Sequence, residues 1–241
     1  MTSLESKGKA LKSYLSQGEK FSVVQAFQII KQVLFAVKEV HEAGFLHLDI
    51  QDGNVFIKGS LSAEDNLVSL VDFGAARPVC EDGLCPAIRD RALFSTIGFE
   101  SPEIVGRNDG TLRLGAESDL YSVGYLLLLM LTGKRYTQRE LDSANIGLYL
   151  SKRKLKKLNC PAHMADKVHQ IISKALKKTP EDRYHSCEEM LADVSDLLHA
   201  LQPYKSDLSQ VVYDAFICYR HGETDSQAAK ILQQKLEHFP I

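Results

Sequence analysis

Along residues 21–44, FSVVQAFQIIKQVLFAVKEVHEAG, the apolar residues Ala26, Ile30, Val33, Val37 and Val40 recur at intervals of three and four. That is the period of a helix with one buried face. Ser22 and Gln25 have the spacing of a capping box, which sets the start, and Gly44 supplies the stop. A shorter helical pattern covers residues 4–16, with Gly8 inside it and Gly18 near its end. The pattern then changes. Val55 to Ile57 and Leu67 to Val71 are short apolar runs separated by the polar stretch KGSLSAEDN, which predicts a hairpin of two strands. About 25 residues after DFGAARP show little periodicity, and so long a segment inside a compact domain is often a functional loop. From Ser118 to His199 the helical period returns, interrupted near Gly133, Asn159-Cys160-Pro161 and Thr179-Pro180. Within it, YLLLLML (Tyr125 to Leu131) is apolar on every side and predicts a buried helix. It is too short to cross a bilayer, which takes about 20 residues.

Beyond Gln202 the character changes again. QPYKSDLSQ has linker composition, VVYDAFICYR predicts a buried strand, and ETDSQAAKILQQKLEHF predicts a helix with Ala228, Ile231, Leu232 and Leu236 inward. The expected organisation is a mainly α unit with a small β-hairpin over residues 1–200, a linker over 201–210, and an incomplete α/β piece over 211–241.

Composition narrows the function classes. The 241 residues are 44% hydrophobic and 25% charged, the balance of a globular protein with a sizeable core. A net charge of −2 creates no global field for nucleic acid or an anionic membrane, so neither is expected as a partner. Five cysteines (Cys80, Cys85, Cys160, Cys187, Cys218), few and odd in number, with no secretory signal, predict a reducing, cytoplasmic setting. Cys80 and Cys85 form a C-x4-C pair, but no second pair completes the four ligands a zinc site needs. SKRKLKK (Ser151 to Lys157) is a basic run that reads as a solvated face or, alternatively, as a docking patch.

The densest candidate chemistry is HLDIQDGN, His47 to Asn54. One reading is turn chemistry, because Asp and Asn hydrogen-bond their own backbone in loops. The other is phosphoryl transfer, which asks a protein for positioning and charge neutralisation more than for covalent chemistry. An acid must orient the attacking hydroxyl, and oxygen ligands must hold magnesium against the phosphates. Asp49, Asn54 and Asp72 are these residue types. Asp49 and Asn54 stand at opposite ends of one short loop, and Asp72 ends a strand able to pair beside it.

At these residues the chain resembles the protein kinases. HLDIQDGN resembles their H-R-D catalytic loop, DFG their magnesium motif and SPE their A-P-E. Thr96 lies seven residues before Glu103, as in their T-x-x-Y-x-A-P-E segment, with Phe99 in place of Tyr. SDLYSVGYLLLLMLTGK resembles the helix that anchors their catalytic loop, and KKTPEDRY the segment whose Arg pairs with the Glu of A-P-E. The resemblance covers about residues 1–200 and corresponds to the family's C-terminal lobe. It implies ATP and Mg2+ as cofactors and a protein substrate. Asp49 would orient the substrate hydroxyl with Gln51 beside it, and Asn54 and Asp72 would hold magnesium. Asp119 would hold the backbone around His47, and Glu103 would pair with Arg183. Phe73, Gly74 and Thr96 belong to the activation segment.

Departures from the family pattern matter. Leu48 replaces the Arg that receives an activation-loop phosphate, so control by that phosphate is not expected. Gln51 replaces the Lys directed at the γ-phosphate and brings a donor without charge. No G-x-G-x-x-G loop or V-A-I-K-like strand appears ahead of His47. Residues 211–241, which begin VVYDAFICYR, resemble the first strand and helix of a Toll/interleukin-1 receptor (TIR) domain. That implies a TIR partner if the domain is complete elsewhere. Both ends therefore look cut from a longer signalling protein. Two further readings stay open: a pseudokinase-like binding module and a small-molecule phosphotransferase.

Overall fold

The structure, a computed structural model, describes residues 8–59, 67–85, 98–106, 114–143, 146–201 and 216–217. Helix α2 (Val23–Glu42) begins where its capping box predicts. Ser22 Oγ accepts the Gln25 N–H at 3.2 Å, and Gln25 Oε1 accepts the Ser22 N–H at 2.9 Å. Ala26, Ile30, Val33, Val37 and Val40 are fully buried, and so are Phe27, Ile29 and Leu34. The buried face is wider than one stripe because α2 is covered from several sides. It packs against α4 (Ala116–Thr132), α9 (Cys187–Leu201) and the strand β4 (Leu67–Leu70).

Helix α4 is the centre of the helical core. Every side chain from Ser118 to Leu131 is buried, as the all-round apolar run demands. It also packs against α8 (Ala165–Ala175). Gly124 permits that approach: a Cβ there would lie 2.4 Å from the Ala175 Cβ. Gly133, with φ 66°, ends α4 in the left-handed conformation that glycine adopts without steric penalty. Shorter helices α5 (Gln138–Ser143), α6 (Ile146–Tyr149) and α7 (Lys152–Lys157) follow. In α7 Leu155 is buried, and Lys152, Arg153, Lys156 and Lys157 face solvent, so the basic run forms a solvated face. No helix among the described residues is long and apolar enough to cross a membrane.

The predicted hairpin is present as β3 (Val55–Lys58) and β4, antiparallel with Val55 opposite Leu70. The N-terminal reading needs correction. The expected helix over 4–16 is, among the described residues, a strand β1 (Lys9–Ala10) followed by a short helix α1 (Leu11–Ser16). Lys9 and Ala10 pair with Ile57 and Phe56. Gly8 makes this possible. Its φ is +86°, and a Cβ there would sit 2.4 Å from the Ile57 carbonyl oxygen. Strand pairing therefore overrides a local helical pattern. Phe216–Ile217, inside the expected C-terminal strand, forms β6 and pairs in parallel with Ser69 and Leu70. The sheet order is β1-β3-β4-β6. The rest of 202–241 lies outside the described residues, as does Thr96.

The end of DFGAARP and the weakly periodic segment after it are tied by long-range pairing. β5 (Arg77–Pro78) pairs antiparallel with β2 (Phe45–Leu46), and Cys85 bridges to Leu114. Cys80 and Cys85 are free thiols. Burial pushes the Cys85 thiol up to about 11, so it is protonated and inert at neutral pH.

Candidate active site

Chain register brings the proposed metal-binding residues together. The Val71 N–H donates to the Asn54 carbonyl at 2.9 Å, which continues the β3–β4 pairing by one step. Asn54 and Asp72 therefore stand on adjacent strands at the same end of the hairpin. Asn54 turns back to Asp49: its Nδ2 donates to Asp49 Oδ2 at 2.7 Å and to the Asp49 carbonyl at 2.9 Å. Gln51 Nε2 donates to the other oxygen, Oδ1, at 2.8 Å. Two side-chain amides thus aim one carboxylate. With its nitrogen so engaged, Asn54 keeps its side-chain oxygen as the atom suited to a cation.

Asp72 Oδ1 accepts the Gly74 N–H at 3.3 Å. Asp72 and Leu48 have φ of 69° and 60°, left-handed values that residues with a Cβ adopt only when surrounding structure enforces them. The donor set suits magnesium, a hard ion that takes one or two protein ligands and completes its shell with water and phosphate oxygens. No group of three or more His, Cys, Asp or Glu forms a metal cage among the described residues. A site shared with phosphate does not require one.

The loop is held from beneath. Asp119 is fully buried at the start of α4. Its Oδ2 accepts the His47 N–H at 2.8 Å and its Oδ1 the Leu48 N–H at 2.8 Å. His41 Nε2, from the last turn of α2, lies 2.8 Å from Oδ2. Burial works against this carboxylate, yet the His41 and His47 contacts hold it below the usual carboxylate range. The His47 ring packs on Phe73, centroids 4.9 Å apart, and its Nδ1 accepts the Asp49 N–H at 3.3 Å. Burial depresses the His47 pKa, so the ring is neutral. Its Nε2 is buried without a hydrogen-bond partner among the described residues.

We expect Asp119→Asn to destabilise the protein by about 1–3 kcal/mol, because an amide replaces one acceptor oxygen with a donor facing a buried donor. Urea unfolding measures this; a loss under about 0.5 kcal/mol would show that Asp119 does not hold the loop.

A second pair fixes the short helix α3 (Pro102–Gly106), which carries Glu103. Arg183, 1% exposed, makes a fork on Glu103: Nη1 to Oε1 at 2.9 Å and Nη2 to Oε2 at 2.6 Å. Its other donors go to the carbonyls of Lys177, Glu117 and Lys178. Ser118 Oγ donates to Glu103 Oε1 at 2.8 Å. Leu48, where a kinase-like Arg is missing, is buried in an apolar cluster with Leu46, Ala75, Cys85, Ile104 and Leu114. Apolar packing there joins the loop to the segments that carry Ile104 and Leu114.

Three residues were not singled out from the sequence. His41 supports Asp119, and Asp52 and Arg135 form an ion pair at 2.7 Å. His41 lies six residues before His47, a local signal that could have been used. Asp52 and Arg135 are 83 residues apart, with no local pattern linking them.

Comparison with solved structures defines the fold first. The PknI kinase domain of Mycobacterium tuberculosis superposes with a TM-score of 0.54 at 18% identity, covering 79% of this chain and 62% of that one. A family model described as "Protein kinase domain" matches residues 3–194, so the chain belongs to the protein kinase domain family. Among curated relatives, the probable serine/threonine-protein kinase PknB of Lactococcus lactis is 26% identical over 188 residues, which is 78% of this chain and 28% of that protein. The serine/threonine-protein kinase PLK4 of Nematostella vectensis is 29% identical over 180 residues, 75% of this chain and 17% of that protein. PknB of Mycolicibacterium smegmatis is 27% identical over 191 residues, covering 79% and 28%. The chain thus spans under a third of each of these relatives. The family match ends at residue 194 and does not reach residues 211–241.

Proposed function

We propose that residues 1–200 are the C-terminal lobe of a Ser/Thr-type protein kinase that moves the γ-phosphoryl group of ATP to a protein hydroxyl. The observation that carries this reading is the gathering of Asp49, Asn54 and Asp72 at one end of the hairpin, with Asp49 aimed by Gln51 and Asn54. Asp49 orients the hydroxyl and takes its proton. Asn54 and Asp72 hold magnesium, which when bound neutralises phosphate charge. Asp119 fixes the peptide planes of His47 and Leu48. Glu103 and Arg183 fix the platform that receives the polypeptide substrate, the feature that favours a protein over a small-molecule acceptor. No adenine-clamping pattern is found in residues 1–46, so the proposed reaction requires a nucleotide-clamping lobe in addition to the residues gathered here. Residues 211–241 are proposed to open a TIR-like domain of the same cytoplasmic signalling protein; the sequence pattern supports this.

Gln51 favours a second reading, a binding module of low activity. A neutral donor reaches Asp49 where a cation would also draw the γ-phosphate. The test joins a nucleotide-clamping N-terminal lobe ahead of Met1 and supplies ATP, magnesium and a Ser/Thr protein. Phosphoryl transfer is expected, and Gln51→Lys should raise its rate by up to about 100-fold, the scale of one donor at a developing charge. No transfer from either folded protein would leave the binding module as the function. Transfer without acceleration in Gln51→Lys would show that position 51 does not face the phosphate.

A further inference from the structure

The loop's remaining carboxylate, Asp52, is 2% exposed. Arg135 Nη2 reaches its two oxygens at 2.9 and 2.7 Å. Arg135 comes from the turn after α4, and that turn is itself pinned. The Tyr125 hydroxyl donates to the Tyr136 carbonyl at 2.8 Å and accepts the Tyr136 N–H at 2.8 Å. The guanidinium also faces the Phe99 ring, with Cζ 5.3 Å from its centroid. Phe99 is fixed in turn, because Ser122 Oγ donates to its carbonyl at 2.7 Å. Phe99 lines a small cleft together with Asp49, Ile50 and Glu100. Arg135 therefore touches two elements that border the acid expected to orient the substrate. Despite both contacts, its side chain remains 45% exposed.

Neutralising Asp52 does not require so exposed a group. The pair is a dipole with its negative end buried and its positive end half exposed beside Phe99. Ordering a long cationic side chain ordinarily opposes anion binding. Here that ordering is already made by Asp52 and Phe99. A guanidinium is planar, weakly hydrated and matched to carboxylate and phosphate oxygens.

We propose that Arg135 is a specificity-determining residue that receives an anionic side chain flanking the target hydroxyl, so that the substrate class is a Ser/Thr segment with an acidic neighbour. The proposal rests on the kinase reading of Asp49, yet its test reads binding and not turnover. The chain's net charge of −2 gives no general attraction for acidic peptides.

The experiment measures fluorescence anisotropy of labelled Ser-centred peptides with the full chain at low salt. The flanking residues are Asp, phosphoserine or Asn in otherwise identical sequences. Binding of the Asp or the phosphoserine peptide is expected to be at least about 5-fold tighter than that of the Asn peptide; the tighter of the two identifies carboxylate or phosphate as the natural anion. The double variant Asp52→Asn/Arg135→Gln keeps the net charge and an amide pair, and should bind all three peptides equally. Arg135→Lys, which still neutralises Asp52, should lose at least about half of the preference because the fork is gone. Lys156→Gln/Lys157→Gln should leave the preference intact. Equal binding of all peptides by the parent chain, full preference in both Arg135 variants, or loss of preference in the Lys156/Lys157 variant would each overturn the proposal. A retained peptide preference without phosphoryl transfer would instead count against the kinase reading alone.

Discussion

Asp49→Asn, in a protein that carries this chain behind a nucleotide-clamping lobe, is expected to lower kcat by about 10²- to 10⁴-fold while nucleotide affinity changes little. A positioned acid or base is worth that much, roughly 3–5 kcal/mol at the barrier. A residue acting mainly in the transition state affects turnover more than ground-state binding. The structure sharpens the expectation. Both Asp49 oxygens accept side-chain amides, from Gln51 and Asn54. An asparagine can satisfy one of them and must turn its own nitrogen toward the other, at a cost of about 1 kcal/mol. The stability loss should therefore be small beside the loss of rate. Asp72→Asn should divide the other way and weaken magnesium-nucleotide binding. Steady-state kinetics with nucleotide titration separates the two variants. If Asp49→Asn retains phosphorylation within a few-fold of the parent, HLDIQDGN is a turn and the catalytic reading fails.

Arg183→Met is expected to destabilise the protein by about 3–5 kcal/mol, because it leaves the Glu103 carboxylate largely buried without its partner. The guanidinium also gives up hydrogen bonds to three backbone carbonyls. Glu103→Leu/Arg183→Met, which removes the charge as well, should recover part of that loss. Urea unfolding measures both. Acid supplies an independent check. Burial opposes the Glu103 carboxylate, but Arg183 holds its pKa below the ordinary value. A depressed folded pKa means that the contribution is fully present above the unfolded value near 4.3 and fades as pH falls through the folded one. The stability gap between parent and Arg183→Met should therefore be widest at neutral pH and narrow below about pH 4. A gap that does not change with pH would show that charge pairing is not its cause.

Local interactions were legible along the chain. The Ser22–Gln25 box, the α2 core positions, the buried α4 and the β3–β4 hairpin all follow from periods of a few residues. Asp49 and Asn54 were readable for the same reason, since one short loop carries both. The N-terminal helix was overextended because Lys9 and Ala10 answer to the edge of β3, a distant segment of the chain, and not to their own period. The stretch after DFGAARP has little period of its own, and where it is described its pairing runs to a distant segment, as Cys85 does with Leu114.

The sequence by itself determined the candidate site residues and the short elements that present them, because capping, alternation and helical period act between neighbours on the chain. Only the tertiary structure decided what holds those residues in place. Asp119 reaches His41 across 78 positions and Asp52 reaches Arg135 across 83. Leu48 finds an apolar cluster built from residues as distant as Ile104 and Leu114. Such partners meet because α2, α4 and the loops between them pack in one geometry. No local pattern encodes that meeting, since a buried carboxylate can be satisfied by any donor that packing brings within reach.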